Sequence, residues 1–189
     1  MGVIMSKTPS NMLSLGTEAP QFSLKDVVTG ELYTLNHSEK RKGIVIMFIC
    51  NHCPYVKHVN HALVSFARSY MDKGVDFVAI NSNDVNKYPQ DSPENMVQTA
   101  KQEGYPFPYL FDETQEVAKA YKAACTPDFY LFDQNLSLVY RGQLDDSRPG
   151  NDIPVTGNAL RQACDQLLVN EAISVEQKPS LGCNIKWID

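Results

Sequence analysis

GIVIMFICNHCPYVKHVNHALVSFARSYMDKG, residues 43–74, joins an unbroken apolar run to a helical pattern across two cysteines. The run at 43–50 is rich in β-branched residues and lacks polar alternation, as expected of a strand buried on both faces. From Pro54 onward, at ~100° per residue, Val56, Val59, Leu63, Phe66 and Tyr70 share one side of a helix. Proline is tolerated in a first helical turn because its missing donor would be unpaired there anyway. Gly74 suits the stop. Cys50 therefore closes a strand and Cys53 opens a helix.

At a helix start, free backbone N–H groups and the positive end of the macrodipole stabilise a thiolate. The two-residue spacer lets the sulfurs meet, and His52 between them adds positive charge when protonated. One reading is a redox switch in which Cys50 and Cys53 move between dithiol and disulfide. The other is a copper or zinc carrier built from Cys50, Cys53, His58 and His61. Relative to Cys53, the last two lie ~140° and ~80° around the helix, so they would have to turn toward the sulfurs. Cys-x2-Cys-x4-His-x2-His is also tighter than ordinary zinc-finger spacing. The chain's four histidines all precede its second half, which leaves no distal ligand. Dithiol chemistry is the reading adopted, with the carrier as an alternative.

VDFVAIN (75–81) reads as the next buried strand, completing a βαβ unit with a parallel sheet. Upstream, QFSLKDVVTGELYTL reads as two short strands turning at Thr29-Gly30. Downstream, Ser92 and Pro93 cap a helix near 93–103, and DETQEVAKAYKA reads as another. DFYLFDQNLSLVYRG reads as a hairpin around Asp133-Gln134-Asn135. A last helix near 157–170 turns Leu160, Cys164, Leu167 and Leu168 inward, and the tail KPSLGCNIKWID is extended. The expected organisation is a loose leader at 1–14, one domain at 15–170, and an extension at 171–189 packed on it.

The 189 residues, 43% hydrophobic and 21% charged, suit one globular domain. A net charge of −5 argues against nucleic acid or an anionic membrane as partner. No segment approaches the ~20 apolar residues of a bilayer span, and the N-terminus lacks a secretory apolar core, so a cytoplasmic protein is expected. In a reducing cytosol, cysteines are more often catalytic or metal-binding than structural. An odd five of them speaks against a closed disulfide framework. Cys164 reads as core; Cys125 and Cys183 are candidate accessory thiols.

The strand–C-x-x-C–helix junction resembles the thioredoxin-like superfamily. CTPDFYLFD strengthens the likeness, since Thr126-Pro127 entering a hairpin resembles the cis-proline loop that faces the cysteines there. LGTEAPQFSLKDVVTGELYTL resembles the entry to the redoxin and TlpA-related branch. CNHCPYVKH, YRGQLDD and GCNIKW together resemble a peroxiredoxin-like (AhpC/TSA) group. The resemblance implies an α/β thioredoxin-like fold: a central mixed sheet flanked by helices, an N-terminal β-hairpin and an extended C-terminal tail.

It also implies a thiol-disulfide oxidoreductase or thiol-dependent antioxidant that needs no cofactor. Cys50 and Cys53 would be catalytic, Cys50 attacking first. His52 would tune their pKa, as the histidine of DsbA's C-P-H-C does, and Thr126 and Pro127 would position an extended substrate chain. Partners would be a protein or small-molecule disulfide or a peroxide, with a thiol reductant such as thioredoxin or glutathione. The alternative is a peroxidase with Cys53 as peroxidatic cysteine. Two departures bear on this. In the peroxiredoxin pattern P-x-x-x-T-x-x-C, Ile46 and Cys50 replace Pro and Thr, and the hairpin strand DFYLF lacks the family's arginine, Arg141 and Arg148 coming later. Where thioredoxins carry a buried acid and a tryptophan, this chain has Ile44 and Ile49, which predicts no buried carboxylate beside the pair.

Overall fold

The computed structural model describes residues 7–189. In chain order its elements are β1 (Lys7–Pro9), β2 (Ser23–Asp26), β3 (Leu32–Thr34), β4 (Gly43–Phe48), α1 (Pro54–Met71) and β5 (Val75–Asn81). A 3-10 turn (Pro89–Asp91) precedes α2 (Pro93–Glu103), β6 (Tyr109–Phe111), α3 (Glu116–Ala120) and β7 (Cys125–Thr126). Then come β8 (Asp128–Asp133), β9 (Leu138–Gly142), α4 (Asn158–Leu168) and β10 (Leu181–Asn184).

The main sheet has seven strands in the order β3-β2-β6-β5-β4-β8-β9. β4, β5 and β6 run parallel, while β8, β9, β2 and β3 are antiparallel to their neighbours. The apolar run of β4 is needed because both its faces are covered. Val45, Met47 and Ile49 pack with residues of α1, α2 and α4, while Ile44, Ile46 and Phe48 pack with α3 on the other face. This is the mixed, helix-flanked sheet that the sequence implies, with its N-terminal hairpin β2–β3. Gly30 holds that hairpin's turn at φ 77°.

Two elements differ from expectation. The helix read over 112–123 is confined to Glu116–Ala120, because the buried Asp112 carboxylate accepts the N–H groups of Val117 and Ala118 at 3.3 and 2.9 Å. It thereby fixes the helix start.

The larger difference is a second sheet of order β1-β10-β7. The tail strand β10 lies at its centre, antiparallel to both neighbours, with Lys7 opposite Cys183 and Cys183 opposite Thr126. Lys7–Pro9 is therefore a strand rather than part of a loose leader; residues 1–6 of that expected leader lie outside the described residues. Ser10 fastens the arrangement: its N–H donates to Ser180 O at 3.0 Å, and its hydroxyl to Asp128 Oδ1 at 2.7 Å. Among the described residues no helix is long and apolar enough to cross a membrane.

Candidate redox site

β4 ends at Phe48; Ile49 N–H makes one more bond to β5, to Ile80 O at 3.0 Å, before the chain bends at Asn51 and His52. Cys53 is the N-cap of α1, with φ −68° and ψ 124°, and Pro54 is the first helical residue. The peptide between Thr126 and Pro127 is cis. β7 lies against the pair, with Cys50 Sγ 3.6 Å from Thr126 Oγ1 and Cys53 Sγ 3.3 Å from Thr126 O. Cys50, Cys53, Thr126 and Pro127 thus gather at one spot.

Cys183, the far candidate, joins them. It is drawn in because β10 pairs with β7 in a register that sets it across from Thr126. The three thiols are closed off: Cys50, Cys53 and Cys183 are 1%, 0% and 2% exposed. The edge of β7 that an incoming extended chain would use is occupied by β10 itself. Close approach depends on Gly182, where a Cβ would lie 2.0 Å from Thr126 O.

The charges in this cluster are unequal. Hydrogen bonding from Cys183, and next from Cys50, lowers the Cys53 pKa far below that of a free thiol, outweighing burial; the Val56 amide adds to the effect. The Thr126 carbonyl oxygen by itself favours the protonated thiol, but it is one contact against two thiol donors and a helix start. Cys50 moves the other way. Its hydrogen bond to Cys53 holds its proton, with burial and the Asp91 charge adding to the rise. Cys183 is raised for the same leading reason. The hydrogen bonding within the cluster therefore favours the thiolate at Cys53 over that at Cys50 or Cys183.

Asp91 is the residue the sequence reading missed. Fully buried, its carboxylate accepts from the N–H groups of Asn51 (2.8 Å) and His52 (3.3 Å) and from Asn83 Nδ2 (2.8 Å). It also lies 2.6 Å from His52 Nδ1. The expected absence of a buried acid beside the pair is thus corrected: the acid arrives from the 3-10 turn rather than from β4. His52 stacks on Tyr88 with ring centres 5.8 Å apart, and its ring nitrogen, Cys50 Sγ and an Asp91 oxygen lie within 4.8 Å of one another.

The alternative cradle of Cys50, Cys53, His58 and His61 does not assemble. His58 Nε2 hydrogen-bonds Ser147 Oγ at 2.7 Å and His61 is exposed. Among the described residues, the one group of three potential ligands is Cys50, His52 and Asp91, without Cys53. The arginines engage elsewhere, Arg141 with Leu13 O and Gln177, Arg148 with Asp145 O, Ser147 O and Gln143. Cys125 is buried beside Asp128, its thiol directed at Pro127 O at 3.8 Å and burial raising its pKa. Cys164 lies in the core as expected, pushed up to about 12 by burial.

Comparison with known proteins gives a consistent picture. The chain is 60% identical to a conserved, uncharacterized protein from Geobacillus kaustophilus, with a TM-score of 0.95 and 98% of each chain covered. It is 48% identical to a hypothetical protein from Sinorhizobium meliloti, with a TM-score of 0.93 over 96% of this chain and 98% of that one. The thioredoxin domain of a thiol-disulfide oxidoreductase from Bacteroides vulgatus shares the fold at 18% identity, with a TM-score of 0.60 over 71% of this chain and 91% of its own. No match was found among curated proteins. The model of the family described as Redoxin matches residues 14–160, and the chain belongs to that family.

Proposed function

We propose that the protein is a thiol-disulfide oxidoreductase that passes electron pairs through Cys50 and Cys53. Membership of the Redoxin family supports a redox role in general. The observation that carries the specific reading is the position of Cys53 as N-cap of α1, gathered with Cys50 against Thr126, the residue that Cys183 faces across the β7–β10 pairing. On this reading Cys53, rather than Cys50, attacks first. The Cys53 thiolate attacks one sulfur of a substrate disulfide, forming a mixed disulfide and releasing the other substrate sulfur as thiolate, which takes up a proton. Cys50 then loses its proton to the adjacent Asp91–His52 pair and attacks Cys53 Sγ. The second substrate thiolate leaves, and the Cys50–Cys53 disulfide holds the oxidising equivalent until a thiol reductant removes it. Thr126 and Pro127 position the reacting sulfurs, and the reducing cytoplasm is the compartment that suits such a cycle.

Peroxide as the oxidant is the second reading, since a Cys53 thiolate is also the nucleophile a peroxide needs. The engagement of Arg141 and Arg148 elsewhere weighs against it. Mass spectrometry after differential alkylation separates the two. With a disulfide substrate, the protein carrying both Cys50→Ser and Cys183→Ser is expected to hold a mixed disulfide on Cys53, and the Cys53→Ser protein to hold none. Capture on Cys50 in the Cys53→Ser protein would overturn the assignment. Rapid sulfenate formation at Cys53 by peroxide, with no capture of disulfides, would establish the peroxidase instead.

A further inference from the structure

Cys183 has no part in the two-cysteine cycle, yet it lies against the sulfur at that cycle's centre. Three independent features hold it there. β10 is the middle strand of its sheet, so Cys183 is paired on both sides, to Lys7 and to Thr126. Gly182 allows the strand to approach Thr126 more closely than any side chain would permit. Both flanks are anchored: Ser180 Oγ donates to Pro127 O, Ile185 N–H to Ala124 O at 3.0 Å, and Lys186 N–H to Asn83 Oδ1 at 2.8 Å. Cys50 and Cys53 both contact Thr126, and Cys183 stands opposite Thr126, so the three cysteines meet around one residue. In thiol-disulfide exchange the attacked sulfur stands between the attacker and the leaving group.

We propose that Cys183 is a third redox residue, which takes the disulfide over from Cys50 by attacking Cys53 and so ties the C-terminal strand covalently across the site. The inference rests on the function proposed above. In the step, the Cys183 thiolate attacks Cys53 Sγ of the Cys50–Cys53 disulfide. The Cys53–Cys183 bond forms, the Cys50–Cys53 bond breaks, and Cys50 leaves as thiolate. The proton given up by Cys183 balances the one gained by Cys50. One disulfide is exchanged for another, so no outside oxidant or reductant takes part.

The electrostatics change in the direction the step needs. While Cys53 is a thiolate, hydrogen bonding to it is the leading cause that keeps Cys183 protonated. Once Cys53 is in a disulfide that charge is gone, and the Lys186 ammonium, which favours the Cys183 thiolate, remains. Forming the Cys50–Cys53 bond thus removes the leading cause that holds the Cys183 proton, leaving Lys186 to act against burial alone.

The test uses the full chain oxidised with diamide, quenched in acid, denatured, alkylated and digested with trypsin. Cys50 and Cys53 fall on the peptide 43–57, and Cys183 on 162–186, where fragmentation distinguishes it from Cys164. The parent is expected to show both the 50–53 link and the 53–183 link. The Cys50→Ser protein is expected to fall from four alkylatable thiols to two through an internal 53–183 bond. The Cys183→Ser protein is expected to retain only the 50–53 link. A 50–53 link in the parent, with Cys183 alkylatable both there and in the oxidised Cys50→Ser protein, overturns the relay and leaves the two-cysteine function standing. No intramolecular disulfide in any of the proteins overturns both. Matching thermal melts of the reduced proteins establish that the variants are folded.

Discussion

Replacing Gly182 with alanine tests whether the tail is part of the site. The new Cβ would lie 2.0 Å from Thr126 O, 2.7 Å from its carbonyl carbon and 3.2 Å from Pro127 N, all backbone atoms that have no rotamer to change. Since Cβ contacts below 3.0 Å essentially never occur, β10 and β7 must separate by at least 1.0 Å. A 3.0 Å bond such as Ile185 N–H to Ala124 O would then stretch past the range in which it contributes. Losing two or three such bonds at about 1 kcal/mol each amounts to about 2–3 kcal/mol. For a chain of this size that is roughly 4–12 °C in Tm if β10 unfolds with the domain. If β10 lifts off locally, the melt moves less, but the cluster opens and all three thiols gain exposure. The assay is a thermal melt alongside native-state reaction with a chromogenic disulfide reagent. The expected outcome is a lower Tm, faster labelling of Cys53 and Cys183, or both. A variant with the parent's melt and labelling rates would refute the close packing of β10 on Thr126.

Other expectations follow from the charges. Native alkylation of Cys53 by iodoacetamide, followed against pH by mass spectrometry, should titrate below the ~8.5 of a free thiol, and Cys183→Ala should raise the midpoint because it deletes a hydrogen-bond donor to Cys53; an unmoved midpoint would remove Cys183 from the cluster. Burial raises the Asp128 carboxyl to about 7, against the lowering effect of bonds from Ser10 and Tyr130. Its folded pKa is thus above its unfolded value, the native state binds the extra proton between about pH 4 and 7, and stability should fall as pH rises through that window. The ceiling is about 4 kcal/mol, and urea titrations should show the Asp128→Asn protein without this slope. Asp91→Ala leaves the N–H groups of Asn51 and His52 without their acceptor, a loss of about 2–4 kcal/mol. Asp91→Asn should restore part of that stability but not the rate of Cys50–Cys53 closure in stopped-flow oxidation, whereas a fully restored rate would mean Asp91 only holds the loop.

Local pattern made much of this molecule legible. The apolar run of β4, the stripe of α1 and the Ser92-Pro93 start of α2 each follow from nearest neighbours in the chain, so Cys50 and Cys53 could be placed at their junction. Thr126-Pro127 carried a motif of its own. Asp91 did not. It lies in the polar run SNDVNKYPQDSP, which has no periodicity, and its burial comes from contacts with Asn51, His52 and Asn83, none of them visible as sequence spacing. The β1-β10-β7 sheet was hidden for a related reason. Its strands are short and come from both ends and the middle of the chain, and their pairing depends on one glycine fitting against one carbonyl. His58 and His61 illustrate the converse: proximity in sequence to the cysteines was real, but the helix turned one toward Ser147 and the other to solvent.

Closure of the cluster also constrains the kinetics. With the three sulfurs at most 2% exposed, an external disulfide cannot reach Cys53 in line until β10 moves, so opening precedes attack. At low reagent concentration β10 recloses before most attacks, and the labelling rate rises linearly with reagent. At high concentration attack outpaces reclosing and the rate levels off at the opening rate itself. The parent should therefore show a plateau in stopped-flow labelling of Cys53, set by β10 and independent of the reagent used. Gly182→Ala weakens the same contact that must break, so its plateau should lie higher, by about tenfold for each 1.4 kcal/mol by which the closed state loses stability relative to the opening barrier. A parent rate that stays linear to the highest reagent concentration and equals that of the alanine variant would show that the sulfurs are reached without the tail moving, and the site would then have to be entered from the α1 side.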